Sequence, residues 1–258
     1  MLVLATLSGC ATPGVGPASN SRVAALANVH KLYQEEFAGI AFPRPSQRPA
    51  PIAKEKAFER TVSAIDEFKK TYGTDGAEAA HLSVVEAMAY LQSGQIGRAR
   101  LMRDEVKQAA PKLRSGDGHY TRDELLARSF EPLLAGWEQV RNAAPGSGVN
   151  PSSVQFKQAA DGLEETLTGL DASRLAAPEV DAGAKYLATS SAIFRVWYGS
   201  MQRREKAASY QKGAALIGRH LTAEEKQAAE SGDLAQLSPA RQRFAAWYRF
   251  LRQPPPGS

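Results

Sequence analysis

The chain has 258 residues, of which 43% are hydrophobic and 23% charged, and its formal net charge is +5 at pH 7. This length is sufficient for one sizeable hydrophobic core or two small ones. A single cysteine excludes a disulfide framework, no apolar run beyond residues 1–9 approaches the roughly 18 residues needed to span a bilayer, and the mild positive charge permits contact with anionic lipids or polymers without requiring it.

The first ten residues contain the only cysteine, at the end of the Leu-Ser-Gly-Cys segment of residues 7–10. An aliphatic residue, two small residues and a cysteine after an apolar run resemble the lipobox of bacterial lipoproteins, in which the cysteine is diacylated before cleavage. The resemblance implies that Cys10 is the lipidation site and that acyl chains hold the mature protein on the membrane. A secretory signal begins with positive charge, and no Lys or Arg precedes Arg22, so we expect the complete signal to begin upstream of Met1. The alternative is a buried cysteine of a cytosolic protein.

The residues after Cys10 are small, polar and rich in Pro and Gly, which predicts an extended, mobile tether. Among lipoproteins of this type, an Asp after the cysteine commonly marks retention in the inner membrane. Ala11 stands at that position. The resemblance therefore implies a protein anchored in the outer membrane and facing the periplasm.

Beyond the tether, apolar residues recur at alternating spacings of three and four, the pattern of amphipathic helices. The first such stripe covers residues 23–40 and ends at a proline-rich connector, residues 43–51, which cannot continue a helix. A second stripe covers residues 58–72. Two further helices follow, one before Gly94 and one that runs to Pro111.

In the second half of the chain, capping-box spacing predicts helix starts at Thr121 with Glu124 and at Thr222 with Glu225. The turn-rich residues 144–151 form the clearest internal linker. We find no run of alternating β-branched residues and predict an all-α fold. The predicted parts are the signal (1–9), the lipidated cysteine and tether (10–20), an N-terminal helical part (21–144), a C-terminal helical part with a capping helix (150–252) and a disordered tail (253–258).

The segment of residues 79–111 resembles a tetratricopeptide repeat (TPR). Ala87 and Tyr90 match the small and aromatic positions of the first helix, and Gly94 matches the turn. Ala99 matches the small residue at which the second helix crosses the first. Small residues at these positions allow two helices to approach closely while the aromatic ring fills the wedge beside them.

The preceding residues 64–73 resemble the second helix of another such repeat. Ala64 lies 35 residues before Ala99, close to the family period of 34, although Arg103 stands where an aromatic residue matching Phe68 would be expected. The resemblance implies a TPR-like α-solenoid, an array of helical hairpins behind the tether. The alternative is an irregular bundle whose Ala-rich helices imitate the motif.

In TPR folds the first helix of each pair lines the concave side of the solenoid. The resemblance therefore implies that His81, Val84, Met88 and Gln92 share one face and form a partner-binding groove, with apolar surface from Val84 and Met88 and polar rims from His81 and Gln92. The alternative is that a later helix packs on this stripe and buries it.

Residues that could carry chemistry are scattered. The four histidines show no paired spacing for a metal, and His30, inside an apolar stripe, is interpreted as a core histidine with its own partner. Residues 213–220 lack the Lys and the Ser or Thr of a phosphate loop. We predict no catalytic residue, no metal, no cofactor and no enzymatic activity.

The last helix, which begins at Ser238–Pro239, places Phe244, Trp247 and Leu251 on one stripe and carries four arginines. It suits a membrane surface or a polyanion, or it closes the end of the solenoid with its aromatics buried and its arginines solvated. We favour the second interpretation. Location in the cell envelope argues against a nucleic-acid partner.

Together these features predict an envelope lipoprotein that acts as a TPR-like protein–protein interaction scaffold. By resemblance, it would bind another envelope protein and be accessory to an outer-membrane assembly, secretion or export machine. The alternative is a helical solute-binding lipoprotein that serves a transporter, with a groove that closes around a small ligand.

Overall fold

The computed structural model describes residues 17–38, 42–46, 49, 57–73, 77–113, 118–169 and 178–253. These residues form eleven α-helices and two short 3-10 helices and contain no strand, so the prediction of an all-α fold is confirmed. Cys10 lies outside the described residues. The α-helices in chain order are α1 (Pro17–Ala38), α2 (Glu59–Tyr72), α3 (Ala77–Gln92), α4 (Ile96–Leu101), α5 (Arg103–Ala109), α6 (Gly118–Asn142), α7 (Ser153–Thr168), α8 (Pro178–Met201), α9 (Lys206–His220), α10 (Ala223–Ser231) and α11 (Pro239–Arg252).

Local sequence signals account for several helix ends. The Thr222 hydroxyl accepts a hydrogen bond from the Glu225 amide while the Glu225 carboxylate accepts one from the Thr222 amide, so the predicted capping box of α10 is confirmed. The other predicted helix start is wrong. Helix α6 begins at Gly118, three residues before Thr121, and the buried Glu124 pairs with Arg128 one turn later.

The first helix begins earlier than the sequence pattern predicts. Helix α1 starts at Pro17, so residues 17–20 of the predicted tether are helical. Proline is well tolerated in the first turn of a helix because its missing N–H would have no partner there. Residues 1–16 and 254–258 lie outside the described part of the chain.

The segment that resembles a TPR forms a helical hairpin. Helix α3 ends in a turn at Gly94, whose φ of 80° suits glycine, and the chain returns along α3 through α4 and α5. Ala99, expected at the crossing of the two helices, is fully buried. The returning helix is interrupted at Met102, which separates α4 from α5.

The remaining long helices pack as consecutive neighbours around one core. Helix α8 lies against α6, α7 and α9, and the buried apolar side chains of both halves of the chain form a single cluster. A Cβ at Gly136 on α6 would overlap the Phe194 ring on α8, so only glycine allows this close approach.

Helix α11 turns its aromatic stripe toward this core. Phe244, Trp247 and Leu251 are buried, and the Trp247 indole donates a hydrogen bond of 3.1 Å to the carbonyl of Pro43. The last helix is thereby joined to the connector after α1. Among the described helices, none combines the length and the apolar character needed to cross a membrane.

Candidate ligand-binding site

A cluster of ionisable side chains lies inside the protein where α1, α3 and α6 meet. Asp123 on α6 is completely buried; one carboxylate oxygen pairs with Nδ1 of His81 and the other accepts a 3.0 Å hydrogen bond from Nε of Arg122. The second nitrogen of His81 contacts Nε2 of His30 on α1. An Arg122 Nη atom lies 3.5 Å from Nδ1 of His30, which closes the cluster.

The cluster keeps Asp123 ionised. Burial by itself raises the pKa of the Asp123 carboxyl, but the adjacent Arg122 and His81 outweigh burial and hold that pKa below its ordinary value. Beneath the cluster, the Arg122 guanidinium lies 5.1 Å from the centroid of the Tyr33 ring. Burial raises the pKa of Tyr33, whose hydroxyl stays protonated and donates a 3.1 Å hydrogen bond to Gln92.

Arg122 also lines a cavity of about 560 Å³, which we call the arginine cavity. Helices α1, α6, α8 and α11 and the N-cap of α10 form its walls, so both halves of the chain contribute. Its lining residues are Gln34, Phe37, Ala38, Arg122, Asp181, Ala182, Lys185, Thr222, Ala240, Arg241, Arg243 and Phe244.

Most of the positive charge around the arginine cavity is neutralised. Lys185 is buried and its ammonium lies 3.0 Å from Asp181 and 3.1 Å from Glu225. Arg241 donates to Glu225 at 2.9 Å and to Glu224 at 2.6 Å. Burial raises the pKa of Glu225, but the capping amide of Thr222 together with Arg241 and Lys185 lowers it below its ordinary value, so this wall is a charged network.

Arg243 is the exception among these cations. Its Nη1 atom is buried and has no hydrogen-bond partner among the described residues. A buried guanidinium nitrogen without an acceptor costs free energy, because its hydration is lost and not replaced. Phe37 and Phe244 supply aromatic surface in the same cavity. The arrangement offers one unsatisfied cationic donor within largely apolar walls.

The structure places the four predicted groove residues in the interior. Their side chains are at most 2% exposed, so the prediction that His81, Val84, Met88 and Gln92 line an open groove is wrong. Helix α6 packs over α3, and the two polar residues expected at the rims find partners in the core, His81 on Asp123 and Gln92 on Tyr33.

Sequence reasoning missed this group, which consists of Arg122 and Lys185 with their carboxylate partners and of Arg243. The one available signal was His30, a polar residue inside an apolar stripe, which is partly buried and has His81 and Arg122 as neighbours. No local pattern links these residues, since His30 and Arg122 are 92 positions apart.

The histidine–aspartate pair of the cluster is enclosed by the protein. His81 and Asp123 form an acid–base pair, but His81 is only 2% exposed, which denies a substrate direct access to it. Within the described ranges, no group of three or more His, Cys, Asp or Glu side chains is arranged to hold a metal ion. Comparison of the chain with known protein families, curated proteins and solved structures finds no match.

Proposed function

We propose that this chain is an envelope lipoprotein that binds a small amphipathic organic anion in the arginine cavity, as a helical solute-binding protein serving a transporter. The observation that carries the proposal is the buried, unpartnered Nη1 atom of Arg243 in a cavity whose other cations have acidic partners. A carboxylate would supply the missing acceptor and form a charge-assisted hydrogen bond.

The size and walls of the cavity support a ligand of this class. A volume of about 560 Å³ falls within the roughly 300–1,000 Å³ of small-molecule sites, which combine mainly apolar walls with a few polar groups. Arg243 is the one cation of the cavity without an acidic partner among the described residues, which favours a ligand with a single negative charge. Phe37, Phe244 and the neighbouring alanines favour an aliphatic or aromatic body.

The direct test is native mass spectrometry of the purified protein, followed by calorimetry with octanoate and 3-phenylpropionate. We expect Arg243→Gln to weaken carboxylate binding about tenfold or more, because it removes a charge-assisted hydrogen bond. Arg252→Gln, on the same helix but outside the cavity, is the matched control and should bind like the parent. If the parent carries no small molecule and binds neither carboxylate, or if Arg243→Gln binds as well as the parent, the proposal is wrong.

The proposed anchor has its own test. Because Cys10 is the only cysteine, Cys10→Ser expressed behind a complete signal should move the protein from the membrane fraction to the soluble fraction. Membrane fractions washed with high salt and probed by immunoblotting measure this. A Cys10→Ser protein that still sediments with the outer membrane would contradict lipid anchoring.

A TPR-like scaffold for another envelope protein is the second candidate, accessory to an outer-membrane assembly, secretion or export machine. It is favoured by the hairpin of α3 with α4 and α5, which carries Leu101 at 84% exposure at the end of α4. An exposed leucine at such a position suits contact with a partner. Loss of a specific crosslinked envelope protein in Leu101→Asp, with retention of carboxylate binding, would favour this candidate over the first.

A further inference from the structure

A second concavity, of about 800 Å³, lies toward the C-terminal end of α11 and is formed with α9, α10 and the 3-10 helix Arg203–Glu205. We call it the basic concavity. Among the described residues that line it, every charged one is cationic and none is Asp or Glu. These residues are Arg203, Arg204, Lys206, Arg219, Lys226 and Arg252.

The cations of the basic concavity differ from Arg122, Lys185 and Arg241 of the arginine cavity in having no acidic partner among the described residues. Within the described part of the chain, none of the six takes part in an ion pair. The acids at the start of α10, Glu224 and Glu225, are both engaged by Arg241. Like charges gathered around one concavity repel each other and create a positive potential that attracts anions.

The floor of the concavity contains a second donor. Tyr210 on α9 is only 2% exposed, and its buried hydroxyl has no hydrogen-bond partner among the described residues. Burial raises the pKa of Tyr210, so the hydroxyl is protonated at neutral pH and able to donate. Its ring is held between Lys206, whose ammonium lies 5.8 Å from the ring centroid, and Phe250, 5.9 Å away.

The helices that carry these residues are closely packed, so the site is preformed. A Cβ at Gly218 would come within 3.0 Å of the Tyr248 ring, and one at Gly213 within 3.3 Å of Leu251. The apolar face of α11 points into the protein, since Trp247 and Leu251 are buried. The concavity therefore presents cations and a phenol, and the buried Trp247 and Leu251 are not free to insert into a bilayer.

We propose that the basic concavity binds a ligand carrying two or more phosphate groups, with the arginines around the phosphates and the Tyr210 hydroxyl donating to one of them. Several phosphates match several unpaired guanidinium groups, which bind phosphate oxygens through two parallel N–H donors. This site is separate from the arginine cavity and does not depend on its function. A free oligophosphate and the two-phosphate headgroup of cardiolipin share this chemistry.

Calorimetry of the full chain with tripolyphosphate at low salt tests the proposal. The Cys10→Ser chain, which carries no acyl chains of its own, is used throughout, and its sedimentation with phosphatidylcholine vesicles that contain or lack cardiolipin tests the lipid source. Binding of tripolyphosphate identifies a free phosphorylated ligand, whereas sedimentation with the cardiolipin vesicles alone identifies a headgroup. In either case, we expect the double variant Arg219→Gln/Arg252→Gln to weaken binding about tenfold or more.

Two further variants separate a binding site from general charge. Tyr210→Phe should weaken binding severalfold without lowering the melting temperature, because it removes only a hydroxyl that has no partner within the described structure. Lys107→Gln/Lys112→Gln removes the same net charge from exposed positions on another surface and should leave binding unchanged. Equal losses in both double variants, or binding of neither tripolyphosphate nor cardiolipin vesicles by the parent, would overturn the proposal.

Discussion

At the scale of single residues, Asp123 shows how a charge is kept inside an apolar core. Its carboxylate is completely buried but has His81 on one oxygen and Arg122 on the other. An isolated carboxylate in this position would be strongly destabilising, whereas a fully paired one is tolerated. The cluster thus fixes the relative positions of α1, α3 and α6 without requiring a catalytic role.

Asp123→Asn should lower the free energy of unfolding by about 3–5 kcal/mol at pH 7, because it leaves Arg122 buried without its carboxylate. The folded-state pKa of Asp123 lies below its unfolded value of about 3.9, so the parent loses this contribution as the pH falls through the folded-state pKa. The difference between parent and variant should therefore shrink below about pH 4. Urea denaturation at several pH values measures this.

Asp66→Asn is the control for this experiment, since Asp66 is exposed on α2. We expect it to change stability by no more than about 0.5 kcal/mol. If Asp123→Asn is equally neutral at pH 7, the buried ion cluster is not formed in solution.

At the scale of helices, the approach of α6 to α8 depends on one missing side chain. Gly136→Ala places a methyl group against the Phe194 ring and should destabilise the protein by about 1–3 kcal/mol. Gly97→Ala is the matched control, because Gly97 lies in α4 with open space around it; it should be stabilising by about 0.5–1 kcal/mol. Thermal melts followed by circular dichroism distinguish the two, and a neutral Gly136→Ala would contradict the close packing of α6 on α8.

At the scale of the whole molecule, the two predicted helical parts share one core, and the linker of residues 144–151 joins helices α6 and α7, which pack on each other. Trp247 extends this connection through its hydrogen bond to the carbonyl of Pro43, 204 positions away. A boundary in the sequence pattern is therefore not a boundary in the packing.

This shared core predicts one cooperative unfolding transition, with circular dichroism and tryptophan fluorescence coinciding. Trp247→Phe should lower the free energy of unfolding by about 1–3 kcal/mol, because the Pro43 carbonyl loses its hydrogen-bond donor. The transition should therefore move to a lower denaturant concentration. Two separate transitions, or a Trp247→Phe shift confined to one probe, would show instead that the parts unfold independently.

The helical class and the ends of several helices follow from short-range patterns in the sequence. Helical periodicity, the Thr222–Glu225 capping box and the Gly94 turn depend on residues a few positions apart, so they can be predicted without a tertiary structure. The lipobox at Cys10 is equally local and remains a prediction. The same local rules failed at Thr121, because spacing alone does not fix the first turn of a helix.

Which helix faces are covered depends on how the helices pack on one another. A stripe such as His81, Val84, Met88 and Gln92 has the same pattern whether it lines a groove or lies beneath another helix, and the packing of α6 makes it core. Both proposed binding sites depend likewise on residues brought together from distant helices. The chemistry of each site depends on which charged side chains gain partners when the helices pack. Arg241 gains a carboxylate partner, whereas the Nη1 atom of Arg243 has no partner among the described residues. These pairings exist only in the folded protein.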